Sequence, residues 1–166
     1  MMHTRRTFIT LGLAVSSLLP VTAFARKSGA QQSRDIAERF ASTLSAHDID
    51  GFAALFSDNY INHQTSAAAP APTGMTPKQA SVGFFHARLK GMPDLKVTIE
   101  ALVVEGDRVA ASFVYTGTHQ GVYFGVQPTG KTLRFTSCDI FRLHDGVIAE
   151  HWGMGDIAGV MAQLHG

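Results

Sequence analysis

Cysteine is nearly missing from this sequence: Cys138 is the only one in 166 residues. No internal disulfide can form, and a lone Cys in an apolar strand reads as buried filler before it reads as a nucleophile. Charge is also scarce, at 16% of the chain, and its two signs almost cancel. No basic stripe of the kind that holds nucleic acid or an anionic membrane is present. Histidines are not rare, yet none shows the H-E-x-x-H pattern or another ligand spacing. Gly125 to Gly130 lacks the strand-loop-helix context of a phosphate loop. The sequence therefore predicts neither a metal nor a cofactor. It contains no internal repeat. What remains is a chain that is 45% apolar, enough for one domain with a core.

The first 25 residues are read apart from that core. Arg5-Arg6 precedes an apolar run from Ile9 to Leu19, and Ala23-Phe24-Ala25 has the small-x-small form of a cleavage site. The run is too short to span a bilayer. Residues 1–25 are expected to be a signal peptide, and TRRTF resembles a twin-arginine export signal. That predicts a periplasmic or secreted protein with no membrane contact after signal removal. Fourteen basic residues fall to 12 once Arg5 and Arg6 are gone, against 13 acids, so the mature chain is near −1. Residues 26–32, RKSGAQQ, read as a linker, and 33–166 as one domain.

Periodicity divides that domain in two. Ile36, Phe40 and Leu44, with Ala37 and Ala41, make a helical stripe over 33–46. Ile49 to Phe56 predicts a shorter helix, closed by Ser57-Asp58-Asn59. Tyr60 to Gln64 is a brief extended piece, and an Ala/Pro loop follows from Thr65 to Met75. Thr76-Pro77-Lys78-Gln79 carries a capping box and a first-turn proline, so a third helix should run to about Leu89. After Gly91 and Pro93 the period becomes two. Strands are predicted over 95–104, 108–118, 131–143 and 147–153, separated by Glu105-Gly106-Asp107, by Pro128-Thr129-Gly130 and by Asp145-Gly146. A last helix should span 157–164. Helices first and a strand meander second is the α+β layout, with a curved, mainly antiparallel sheet wrapped on three helices.

One strand poses a chemical question. Asp139 sits among Phe135, Ile140 and Phe141, where an unpaired carboxylate would be costly to bury. If Asp145-Gly146 is a two-residue turn, Asp139 lies opposite Trp152 and shares a face with Glu150 and Asp156. If the turn has three residues, Asp139 meets His151 and Trp152 turns away.

Gly117-Thr118-His119-Gln120-Gly121, Pro128-Thr129-Gly130-Lys131, Asp139-Ile140-Phe141-Arg142, and Asp145-Gly146-Val147-Ile148-Ala149-Glu150-His151-Trp152 form a series, joined by FSDNYINH at 56–63 and by Gln163-Leu164. The series resembles the SnoaL-like polyketide cyclase (ester cyclase) family across nearly the whole mature domain. That resemblance implies the cone-shaped α+β barrel of nuclear-transport-factor-like proteins, with a central apolar pocket. It also implies that Asp139 points inward, as does the acid on the similar strand of ketosteroid isomerase. The family's cyclases close rings by aldol chemistry with an acid/base group and an oxyanion donor, without metal or covalent intermediate. Gly153 departs from the pattern, since many relatives carry an acid there.

The candidate catalytic residues are Asp139, His119 and Asp156. Asp139 would be a general acid/base with its pKa raised by an apolar pocket; otherwise it faces solvent or pairs with Arg134 or Arg142. His119 would hold a carbonyl or relay a proton, or else steady its own loop. Asp156 would be a second pocket carboxylate or the N-cap of the last helix. Trp152, His63, Tyr60, Phe124 and Phe141 are candidates for substrate binding, against the alternative of core packing or, for His63, a backbone contact. The expected function is cofactor-free acid/base chemistry on a small carbonyl or ester compound in an exported protein. The alternatives are a non-catalytic periplasmic binding protein for a hydrophobic molecule, and a scaffold built around a dimeric sheet face of Cys138, Ile140 and His151. A homodimer is expected, with a small molecule as the partner in the pocket.

Overall fold

Local signals place the helices in the computed structural model, which describes residues 28–64 and 72–166. The predicted signal peptide and residues 65–71 of the Ala/Pro loop lie outside that range. Helix α1, Gly29–Ser45, buries Ile36, Ala37, Phe40, Ala41 and Leu44 as one stripe. It begins four residues before the expected Ser33, because the Ser28 side chain accepts the Gln31 N–H at 3.2 Å and caps it there. Residues 29–32 of the expected linker are thus helical. Helix α2, Ile49–Ala53, is capped by Asp48 and stops short of the expected Phe56. Phe56 instead opens strand β1, Phe56–Asn62. Helix α3, Pro77–Gly91, has both halves of its capping box in place.

Strands β2 (Lys96–Glu105), β3 (Arg108–Thr118), β4 (Thr132–His144) and β5 (Val147–Gly155) form an antiparallel meander, and helix α4, Ile157–His165, closes the chain. The sheet order is β1-β5-β4-β3-β2, with β1 parallel to β5. The α+β architecture is as expected, but the sheet does not close into a barrel. Its edge strands β1 and β2 do not pair with each other, and helices cover the inner face instead. Phe40 anchors that layer: its ring lies 4.8–5.3 Å from those of Phe52, Phe85, Phe113 and Phe141. Such aromatic contacts add about 0.5–1.5 kcal/mol each beyond the area they bury.

The β4–β5 hairpin decides the site. Asp145 and Gly146 both have positive φ, 50° and 79°, which is the two-residue type I′ turn that Asp-Gly favours. His144 pairs with Val147 and Leu143 with Ile148, as a straight register requires. The register then slips by one, so Arg142 faces Glu150 and Ala149 is left over as a bulge. Beyond it, Phe141 faces His151, Ile140 faces Trp152, and Asp139 faces Gly153. The expected pairing of Asp139 with Trp152 is therefore corrected. The turn has two residues, yet His151 reaches the inner face, because a single inserted residue exchanges the faces of all that follow.

Candidate active site

The inner face of β4 and β5, helix α3 and the end of β1 enclose a cavity of about 870 Å³. That lies within the range of roughly 300–1,000 Å³ found for small-molecule sites. Phe40, Phe56, Phe84, Phe85 and Tyr115 make its wall largely aromatic. Its polar residues include Tyr60, Asn62, Ser81, Arg88, Ser137, Asp139 and His151.

Asp139 is only 5% exposed, and each of its carboxylate oxygens has one protein partner. Oδ1 lies 2.7 Å from His151 Nε2, and the Ser137 hydroxyl donates to Oδ2 at 2.5 Å. The Tyr60 hydroxyl lies 3.0 Å from His151 Nδ1, with Ser81 Oγ 3.4 Å behind it. An imidazole with its proton on Nε2 satisfies every contact: Nε2–H donates to Asp139 and Nδ1 accepts from Tyr60. The result is a continuous chain, Ser81–Tyr60–His151–Asp139–Ser137, along one wall. Burial pushes the Tyr60 phenol up to about 12, with the Asp139 charge adding to the rise and the Ser81 hydrogen bond opposing it. Tyr60 is consequently a neutral proton donor at physiological pH. A carboxylate has about four lone-pair directions, so two remain on Asp139 for a guest in the cavity.

Arg88 forms the second polar feature. It is 6% exposed, and its guanidinium carbon lies 4.6 Å from the ring centre of Tyr115 and 4.9–5.0 Å from those of Phe84, Phe85 and Phe135. Its Nε donates to the Tyr123 hydroxyl at 3.0 Å. The four rings offer a desolvated cation–π cage, worth up to about 2 kcal/mol per contact. The Tyr115 hydroxyl is held 3.3 Å from Ser137 Oγ, which connects this cage to Asp139. Burial raises the Tyr115 phenol, with the Arg88 charge pulling the other way.

Of the residues singled out from sequence, Asp139 and Tyr60 line the cavity. Phe141 is fully buried behind it, its ring 5.2 Å from that of His151. The others go elsewhere. His119 is buried in its own loop, with Nδ1 receiving the Thr129 N–H at 3.2 Å and lying 2.9 Å from Thr129 Oγ1. Its backbone ties the same turn to Lys131 and Gly130, so it braces the β3–β4 connection and does not reach Asp139's cavity. Asp156 is exposed and caps α4 through the Gly159 N–H at 2.8 Å. Phe124 packs against Tyr123 and borders a small recess beside Arg88. Trp152 and His63 stack with ring centres 4.4 Å apart on the outer face, where His63 also meets Glu150 at 2.8 Å. Arg142 binds Glu150 there, and together with His63 it holds the Glu150 carboxyl below the usual range.

Sequence reading missed Ser137, Ser81 and Arg88, and left His151 open against Trp152. His151 was legible as the neighbour of Asp139 in one of two registers that the turn length alone did not separate. Arg88 did carry a signal: it stands three and four residues after Phe85 and Phe84, beside the predicted apolar stripe of α3. Among the described residues no group of three His, Cys, Asp or Glu is placed to hold a metal ion. No described helix is long and apolar enough to cross a membrane.

Known structures share this architecture. IdmH from Streptomyces antibioticus, a candidate polyketide cyclase, is 28% identical, with 81% of this chain and 99% of that one covered and a TM-score of 0.69. A candidate polyketide cyclase from Bacillus cereus is 25% identical, with 82% of each chain covered and a TM-score of 0.66. AclR from Streptomyces galilaeus, a candidate hydroxylase, matches with a TM-score of 0.69 and 82% of each chain covered; at 24% identity it speaks to the fold alone. No curated protein matches. The profile of the SnoaL-like polyketide cyclases matches residues 34–164, from the first full turn of α1 to the end of α4, and the chain belongs to that family.

Proposed function

We propose that this cavity carries out acid/base chemistry on a small carbonyl or ester compound, in the manner of a cyclase, with Asp139 as the group that takes and returns the proton. The observation that carries the reading is the chain Tyr60–His151–Asp139 set into the wall of an aromatic cavity. A carboxylate held by two donors is fixed in direction while keeping free lone pairs, which is what abstraction of a proton beside a carbonyl needs. His151 and Ser137 hold that carboxylate, and Tyr60, whose one O–H goes to His151 Nδ1, fixes the imidazole that donates to Asp139. The naming of IdmH as a candidate polyketide cyclase agrees with this class of reaction.

The test requires no knowledge of the natural substrate. Proton abstraction at the α-carbon of short ketones and β-keto esters can be followed as hydrogen–deuterium exchange by NMR. The protein should accelerate exchange for part of such a panel, and Asp139→Asn should lower the rate by about 10²–10⁴-fold, the usual contribution of a positioned acid/base. An unchanged rate in that variant removes Asp139 from the mechanism. Exchange in none of the compounds, together with a ligand found by mass in the purified protein, would turn the cavity over to binding alone.

We further propose that residues 1–25 direct export, on the strength of Arg5-Arg6, the apolar run and Ala23-Phe24-Ala25. An intact mass of the exported protein that still included residues 1–25 would count against cleavage there.

A further inference from the structure

We infer that Arg88 is the anchor for an anionic oxygen group of the substrate, and that the compounds this cavity accepts are oxo acids carrying a free carboxylate. This rests on the cavity being a substrate site, as proposed above, but not on Asp139 being its base. None of the ion pairs among the described residues includes Arg88. A cation with so little access to water usually faces a carboxylate, because desolvation is otherwise uncompensated. Here the rings of Phe84, Phe85, Tyr115 and Phe135 cover the guanidinium and leave its edge to make hydrogen bonds. Nε donates to the Tyr123 hydroxyl, and the Tyr115 hydroxyl is a second hydrogen-bond partner of the guanidinium. A guanidinium has five N–H donors, so the two phenols leave donors over for a guest in the cavity that Arg88 lines. Two N–H groups side by side in a planar fork match the geometry of a carboxylate.

Position adds direction to this anchor. Tyr115 stands between Arg88 and Ser137, and Ser137 holds Asp139. A short oxo acid whose carboxylate meets Arg88 would extend along Tyr115 toward Asp139, placing carbons beyond the carboxylate, not the carboxylate itself, at the acid/base group.

Equilibrium binding tests the anchor apart from catalysis. Short oxo acids, such as 4-oxopentanoate and 3-oxohexanoate, are titrated against the wild-type protein by NMR, each alongside its uncharged methyl ester. At least one acid should bind tighter than its ester by about tenfold or more, as hydrogen bonds to a charged group allow. Arg88→Met should erase that preference, and Arg88→Lys, which keeps the charge but loses the fork, should retain part of it. Asp139→Asn should still prefer the acid, so failure of the proposed chemistry and failure of the anchor are told apart. Wild-type protein that favours the ester in every pair, or that binds acid and ester alike, overturns the inference, as does a folded Arg88→Met variant that keeps the preference.

Discussion

A carboxylate as enclosed as Asp139 survives only with partners, and the identity of those partners sets its chemistry. Sequence placed this acid among apolar neighbours and left open whether an indole or an imidazole stood beside it. The answer is the imidazole of His151, backed by the phenol of Tyr60. That phenol yields a prediction with a definite sign. Its pKa is raised from 10.0 to about 12 in the folded chain, so the folded state keeps the proton longer than the unfolded chain does. The stabilisation is fully present below pH 10 and is lost as pH climbs from there through about 12. Two units correspond to about 2–3 kcal/mol. Tyr60→Phe should be less stable at pH 7, because His151 Nδ1 loses its donor. Its stability should then fall less steeply than wild type above pH 10, with Tyr115 supplying the slope that remains. Urea denaturation across pH 7 to 11 reads both effects, and parallel curves for the two proteins would contradict the assignment.

At the scale of elements, the bulge at Ala149 matters more than any strand boundary. The capping box of α3, the Asp-Gly turn and the strands of the meander were legible because each rests on a local rule. The bulge was not, since alternation of Ile148, Ala149, Glu150 and His151 is compatible with either register until packing against Phe141 is known. The pairing of β1 beside β5 was hidden for the same reason: a parallel contact between residues about 90 apart leaves no local mark. The bulge explains Gly153 as well. Directly opposite Asp139, a Cβ at Gly153 would fall well inside contact distance of both Asp139 Oδ1 and His151 Nε2. Glycine at this position is what leaves the two side chains room to meet. Gly153→Ala should therefore force them apart at a cost of about 1–3 kcal/mol, the usual range for overpacking. α-Proton exchange should drop with it. A variant with wild-type stability and exchange would show that the pair tolerates the intrusion.

The whole molecule presents one surface that the cavity does not account for. Val103, Ala110, Ile140 and Trp152 lie in direct register across β2, β3, β4 and β5, forming an apolar row on the outer face. Val103 is 69% exposed and Ile140 41%, and Met154, one row along opposite Cys138, is 79% exposed. This differs from the patch expected from sequence, because the bulge sends His151 inward and puts Trp152 in its place. Sheets seldom leave such a row open to water, and a two-fold pairing of the same face with itself covers it without exposing new edges. We propose that the protein is a homodimer through this face. Sedimentation at micromolar concentration should give a dimer mass for the wild-type chain. Ile140→Glu with Met154→Glu should give a monomer, because each substitution would bury a carboxylate against its own copy across the two-fold axis. Both side chains point away from the cavity, so the doubly substituted monomer should still enclose Asp139, His151 and Arg88 and should keep the acid-over-ester preference. A wild-type monomer at that concentration, or a charged variant that still sediments as a dimer, would leave this face without a partner and require another account of why four strands carry apolar residues there.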